Sequence, residues 1–212
     1  MCLLIAALMV HPSADHPLRS ALVYAENADS SGAWLGTLGS PTNAWERDAI
    51  RERTPGHTPE WTTRLSAYAG GLTGRRVQRV TLAAPSATLV RDTLIEGARH
   101  VVLRVSAPAG TTALLMRARG AKVLTSSIDG RIVDTTRYRS PSRDWDMQYW
   151  AVPDTGAVVA LSIPAGSHID FDLVARRSGI PPISGVTIPR RPPYIVPSQT
   201  GDVTIVYRQL RF

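Results

Sequence analysis

Between Arg99 and Ala118 the sequence runs through a two-residue rhythm twice, with one break between. Val101, Leu103 and Val105 fall on one face of a period-2 strand, while His100, Arg104 and Ser106 fall with Val102 on the other. Pro108-Ala109-Gly110 then turns the chain, because glycine takes a positive φ at no steric cost. The alternation resumes with Leu114 and Met116 on the inner face. This predicts a β-hairpin over 99–118 with those five apolar side chains as core. An echo follows at 158–174, where Pro164-Ala165-Gly166 separates two further alternating runs. Two such units in a strand-rich stretch constrain the chain to antiparallel β-sheet.

The remainder fits that frame. Strands are expected at 18–26 and 33–38, joined by the turn cluster Asn27-Ala28-Asp29-Ser30-Ser31-Gly32. Asn43 followed three residues later by Glu46 has the form of a capping box. A helix is therefore expected over 44–53, with Trp45 and Ala49 on its buried side and Thr54-Pro55-Gly56 as its stop. Residues 54–76 read as a long irregular connection, with a turn of helix at 59–63. Short strands are then expected at 77–84, 87–95, 99–107, 111–118, 122–128, 131–135, 147–152, 157–163 and 168–175. Asp129-Gly130 is the strongest local hairpin signal, since a type I′ turn needs positive φ at both central residues. Residues 179–197 are dense in proline and read as an extended arm, and a final strand follows at 202–207. The expected fold class is mainly β: an antiparallel β-sandwich with one short helix near the N-terminus and a Pro-rich C-terminal arm. The expected division is 1–10 as a membrane-helix end or leader remnant, 11–178 as the sandwich with its N-terminal hairpin and helix, and 179–212 as arm and final strand.

Composition bears mainly on partners. The net charge is +7, yet Lys122 is the only lysine, and the arginines are single or paired rather than clustered. A nucleic-acid footprint gathers its charge on one face, so no nucleic-acid partner is expected, and the arginine bias reads as genome composition. Cys2 is the only cysteine, which excludes an intrachain disulfide and a cysteine metal site. Residues 1–10 are uniformly apolar and stop at His11-Pro12. As helix they span about 15 Å, half a bilayer core. Three readings stand: the end of a transmembrane helix, an unusual signal peptide, and a buried strand. The abrupt polar stop favours the first.

The chemistry-bearing candidates are few. His168-Ile169-Asp170, with Asp172 beyond, could place metal ligands on one strand face, as zinc hydrolases do. The simpler reading is a strand with Ile169, Phe171 and Leu173 in the core and the polar side chains in water. Gly-x-Ser-x-Gly is absent, and Gly70-Gly71-Leu72-Thr73-Gly74-Arg75 lacks the Lys-Ser/Thr that completes a phosphate loop. No catalytic and no metal residue is assigned. Trp145, Tyr149 and Trp150, beside Arg143, Asp144 and Asp146, could stack a sugar or anchor a protein. Alternatively, Tyr149 and one tryptophan fill the core. Arg143, Trp145 and Trp150 are the candidate contact residues.

Several segments together resemble one family. Leu22-Val23-Tyr24-Ala25-Glu26-Asn27-Ala28-Asp29-Ser30-Ser31-Gly32-Ala33-Trp34-Leu35 resembles the strand, Asp-Ala-Asp-Ser-Gly turn and Ala-x-Trp return that open the C-terminal domain of membrane-bound family M28 zinc metallopeptidases. Asn43-Ala44-Trp45 fits the Trp-containing helix that follows there. Residues 144–153 resemble a Trp…Tyr-Trp…Pro strand. Ser178-Gly179-Ile180-Pro181, the proline arm and the closing Asp202, Thr204, Arg211 and Phe212 match how such chains end. Asn27 departs from the usual aspartate, and Ser31 looks inserted. The resemblance implies a non-catalytic extracytoplasmic domain, periplasmic or lumenal. Its partners would be the rest of the membrane peptidase and, through the apolar segment 1–10, the membrane. The zinc and its ligands would lie in the peptidase domain, so no cofactor is expected in this chain. The alternatives are an independent carbohydrate- or ligand-binding sandwich using Trp145 and Trp150, and a small hydrolase using His168 and Asp170.

Overall fold

The computed structural model describes residues 12–51, 59–65, 71–132, 145–198 and 201–212. The apolar segment 1–10, the helix stop at Thr54-Pro55-Gly56 and the candidate Arg143 lie outside the described residues. In chain order the elements are β1 (Leu18–Ser20), β2 (Leu22–Asn27), β3 (Ala33–Leu38), helix α1 (Ala44–Ala49), a 3-10 helix (Glu60–Arg64), β4 (Leu72–Arg76), β5 (Ser86–Ile95), β6 (Ala98–Ser106), β7 (Ala113–Arg119), β8 (Thr125–Ile128), β9 (Arg131–Ile132), β10 (Trp145–Trp150), β11 (Ala157–Pro164), β12 (Asp170–Ser178), β13 (Ile195–Pro197) and β14 (Val203–Arg211). The chain is mainly β, as its alternation predicts.

Val101, Leu103, Val105, Leu114 and Met116 are all fully buried, but the expected hairpin does not form. β6 pairs with β5 and β11 in a five-stranded sheet, ordered β5-β6-β11-β8-β9, whereas β7 belongs to a seven-stranded sheet, ordered β10-β7-β12-β14-β2-β3-β4. Pro108-Ala109-Gly110 is therefore a corner from one sheet to the other. Pro164-Ala165-Gly166 is a second corner, carrying β11 of the small sheet into β12 of the large one. Gly110 and Gly166 take φ of 76° and 74°. The physical reason is burial: each strand has one apolar face, and stacking those faces about 10 Å apart buries both. Leu103 and Leu161 meet Leu114, Met116, Phe171 and Leu173 across this core, and burying each such side chain contributes about 2 kcal/mol. Asp129-Gly130 does make the expected tight turn, with φ of 48° and 78° and Ile128 paired with Arg131.

The small sheet covers only part of the large one. Over β2 and β3 the same face carries Leu22, Tyr24 and Leu35 and is covered by Trp45 and Ala49 of α1 and by Ile50, which follows it, together with Ile183 and Ile195 of the proline-rich stretch. That stretch, expected as an arm apart from the core, is thus a cover, and β13 pairs parallel with β1. The opposite face carries Val23, Ala25, Trp34, Ile205 and Tyr207, and Trp61 and Leu65 pack on it. Every residue of β2 is consequently buried. The final strand, β14, lies inside the large sheet, antiparallel to β12 and parallel to β2.

Three further expectations are corrected. The strand expected over 18–26 is interrupted at Ala21, whose amide donates to the Glu46 carboxylate at 2.7 Å. The strand expected over 77–84 forms earlier, at β4, inside the stretch expected to be irregular. After Val77, whose amide still donates to the Ala33 carbonyl, the chain leaves the ladder as a strap over the cluster of Leu22, Tyr24 and Leu35 through Val77, Val80 and Leu82. Gly74, expected in a flexible connection, instead sits directly across from Gly36 in the β3–β4 ladder. A Cβ on Gly36 would run into the Thr73 carbonyl oxygen, and one on Gly74 into that of Leu35. Gly36→Ala or Gly74→Ala should therefore lower stability by about 2 kcal/mol or more, read as the urea midpoint. Gly110→Ala, at a corner with open space around it, should lower it by only about 1 kcal/mol. Equal losses at the two kinds of site would refute the close-approach explanation.

Candidate functional site

Among the described residues three carboxylates are almost fully buried: Glu26, Glu46 and Asp172. Glu26 and Glu46 accept backbone amides that no strand ladder receives, and Asp172 accepts from side chains of two other strands.

Glu26 and Tyr24 stand two residues apart on β2 and so share one face. The Tyr24 hydroxyl donates to Glu26 Oε2 at 2.6 Å and accepts the Val80 amide at 2.9 Å. Glu26 accepts the amides of Thr81 at 3.2 Å and Leu82 at 2.7 Å. Arg79 Nε stands 3.6 Å away, an ion pair too long for a hydrogen bond. The pair thus anchors the strap that crosses the sheet without pairing to it. Burial, reinforced by the bond to Glu26, raises the Tyr24 phenol above its ordinary range.

Glu46 lies in α1. Asn43 caps that helix as expected, its side chain accepting the Glu46 amide at 2.9 Å. Glu46 does not complete the box by reaching the Asn43 amide. It accepts the Thr42 amide at 2.6 Å, the Thr42 hydroxyl at 3.0 Å and the Ala21 amide. A cleft of about 330 Å³ lies beside it, lined among others by Leu18, Ala21 and Thr42. Glu46 is among the residues that line that cleft, yet is only 1% exposed, its carboxylate being occupied by these donors.

Asp172 corrects the expectation that the polar face of its strand meets water. It accepts two bonds from the Arg119 guanidinium, at 2.8 and 3.2 Å, and one from the Tyr207 hydroxyl at 2.8 Å. Trp61 stacks on Tyr207 at 5.7 Å, and Arg64 reaches the Tyr207 hydroxyl while pairing with Glu60. Burial pushes the Tyr207 phenol up to about 12, with Asp172 adding to the shift and Arg64 opposing it. Neighbouring Asp170 accepts from Arg211 at 2.8 Å, and that guanidinium holds its carboxyl below the usual carboxylate range. His168 is exposed and precedes the strand. Among the described residues no group of three or more His, Cys, Asp or Glu side chains could hold a metal ion, and no helix is long and apolar enough to cross a membrane.

The aromatic candidates are not brought together. Trp145 is half-buried at the core, stacked on Phe171 at 6.5 Å, and its indole donates to Ser126 at 3.0 Å. Tyr149 also packs on that core. Trp150, five residues from Trp145, points to the opposite face of β10 and is 56% exposed. The two tryptophans do not form one stacking platform. Sequence reasoning missed Glu26 and Tyr207, and found Glu46 only as a capping-box residue. The usable signal was parity: Tyr24 and Glu26 share a face inside an otherwise apolar strand.

Glu26→Gln sets an amide N–H₂ against donors that now point at a carboxylate, and should cost about 2–4 kcal/mol. Urea unfolding measures the loss, and faster hydrogen exchange at the Val80, Thr81 and Leu82 amides locates it. Alkali should also destabilise the fold. An unfolded tyrosine titrates near 10, so the neutral phenols of Tyr24 and Tyr207 contribute stability that is intact below about pH 10 and lost as pH rises towards about 12. The urea midpoint should fall above about pH 10, and less steeply in Tyr207→Phe. A flat profile would contradict the burial of both phenols. No protein-family model matches the sequence, and no curated protein matches it.

Proposed function

We propose that this chain is a non-catalytic scaffold and partner-contact domain, the extracytoplasmic β-sandwich of a membrane-bound zinc exopeptidase similar to family M28. The observation that carries the non-catalytic part is the state of the buried carboxylates. Glu26, Glu46 and Asp172 each accept several internal donors. A general base must instead present a free lone pair within reach of a substrate. Glu26 and Glu46 hold covers in place, and Asp172 ties β7 to β14.

The residues that carry the family resemblance also have structural work, which supports reading them as a domain signature. Asn27 accepts the Asp29 amide within the turn, and its own amide donates to the Gly32 carbonyl. Asp29 accepts the Gln209 amide at 2.7 Å, tying that turn to the last strand. Trp34 and Trp45 are buried on opposite faces of the sheet. In this reading zinc belongs to the peptidase domain and not to this chain, and residues 1–10 supply the link to the membrane. The alternative, a carbohydrate-binding module, would rest on Trp150 without Trp145.

Reading the coding sequence upstream of the Met1 codon tests the proposal. A continuous frame encoding membrane helices and a metal-binding peptidase is the expected result. An in-frame stop followed by a ribosome-binding site would sink it.

A further inference from the structure

Among the described residues the two large sheets have four edge strands, and they are protected unequally. β9 is two residues long, β4 ends in Arg75-Arg76, and β10 carries Asp146. Short or charged edge strands resist pairing with other chains. β5 is ten residues long, with neither proline nor lysine. Leu89, Val90, Leu94 and Ile95 along it are 47%, 57%, 67% and 53% exposed. It too carries charge, at Arg91 and Asp92, and a bulge at Val90, between Leu89 and Arg91, interrupts it. Beyond the bulge the register with β6 is regular as far as Ile95.

The pairing assigns the two faces of this edge. Leu89 lies opposite Leu103 and Leu94 opposite Arg99, on the core side, where Asp92 is already held by Arg99 at 2.7 Å. Arg91 lies opposite Val102 and Thr88 opposite Arg104, on the outer side. Arg91 and Arg104 are exposed, and no ion pair among the described residues involves either. An added strand would therefore meet Leu89 and Leu94 on one face, with the paired Asp92 between them, and on the other Arg91 beside Thr93 and Ile95, with Arg104 of β6 behind it.

A second copy of this chain does not satisfy that edge. Two copies pairing antiparallel about a two-fold axis set same-face residues opposite one another. Centred on Arg91 or Asp92, the axis opposes like charges. Centred on Thr93, it sets Arg91 against Ile95 and Asp92 against Leu94. Centred on Leu94, it sets Asp92 against Glu96.

We propose that the free edge of β5 takes an extended, acidic segment of another polypeptide as an added strand, with apolar side chains against Leu89 and Leu94 and carboxylates against Arg91 and Arg104. This rests on the partner-contact reading and names its surface. Backbone hydrogen bonds along the edge would supply affinity, and the alternating faces would supply selectivity.

The test uses the full 212-residue chain and two capped peptides of alternating sequence, Glu-Val-Glu-Val-Glu-Val-Glu and its Lys-for-Glu twin. The acidic peptide should bind about tenfold more tightly than the basic one, since opposite charges across a strand pair attract and like charges repel. Bound peptide should slow amide exchange at residues 91–95 and nowhere else in the two sheets. The double variant Arg91→Glu, Arg104→Glu should reverse the preference, with an otherwise unchanged amide spectrum showing that it folds. Equal affinity for the two peptides, no binding, or protection elsewhere would overturn the proposal. So would a dimer in sedimentation whose β5 amides are protected without peptide, because a second copy would then be the occupant. The reading of the upstream coding sequence is independent of all these outcomes, so either claim can fail alone.

Discussion

β14 hydrogen-bonds to β12 on one side, antiparallel from Val203 to Arg211, and to β2 on the other, parallel from Val23 to Asn27. Without it the large sheet falls into two pieces: β10, β7 and β12, which belong with the sandwich core, and β2, β3 and β4, which belong with the helix and the proline-rich cover. The side chains of β14 work in the same direction. Ile205 and Tyr207 join Val174 of β12 to Val23 and Ala25 of β2 in one apolar cluster. The N-terminal strands thus gain their inner neighbour only from the end of the chain. Pairing this distant in sequence delays assembly, because loop closure must precede any contact it rewards.

Burying both faces of β2 creates a second requirement. Covers that are not strands bring backbone amides to the sheet without a ladder to receive them, and an unpaired buried amide costs about 1–3 kcal/mol. The buried carboxylates meet this need. Glu26 receives the strap at Thr81 and Leu82, and Glu46 receives Ala21 at the break between β1 and β2. Each carries a charge into a low-dielectric interior, which is tolerable only because several donors converge on it. The proline-rich cover solves the same problem differently. Proline has no amide hydrogen to satisfy, so a stretch rich in it can lie on a sheet face with few partners; Trp45 donates to the Pro189 carbonyl at 2.9 Å, and Arg191 stacks over the Trp45 ring.

How much of this was legible in the sequence depends on whether the information is local. Alternation identifies buried positions because it depends only on which face meets water, so Val101, Leu103, Val105, Leu114 and Met116 were readable as core. It carries no information about which strand lies alongside, so a sheet-to-sheet corner and a hairpin look alike around Pro108-Ala109-Gly110. Asp129-Gly130 was readable because its requirement, two successive positive φ values, is confined to those residues. β4 was not: Leu72-Thr73-Gly74-Arg75-Arg76 has no apolar alternation, and Gly74 is fixed by a close approach to a strand far away in sequence. Asp172 looked like a solvated side chain because its partners, Arg119 and Tyr207, come from two other strands. The separation of Trp145 from Trp150 was available from parity alone, since an odd spacing on a strand means opposite faces.

The arginine bias has a physical use beyond composition. Arg99 makes a two-pronged bond to Asp92 and reaches the Ser167 carbonyl, and Arg119 makes a two-pronged bond to Asp172. Arg177 and Arg208 reach the carbonyls of Ala83 and Pro85, holding the end of the strap, and Arg191 joins the proline-rich cover to Asp202. Each of these roles uses a planar fork that binds two acceptors or spans two elements, and a lysine ammonium is a flexible point donor that cannot reproduce it. A fold whose covers cross sheets without pairing to them needs such long-range connectors. The high net charge is in part a by-product of that need, while other arginines, Arg91 and Arg104 among them, make no ion pair among the described residues.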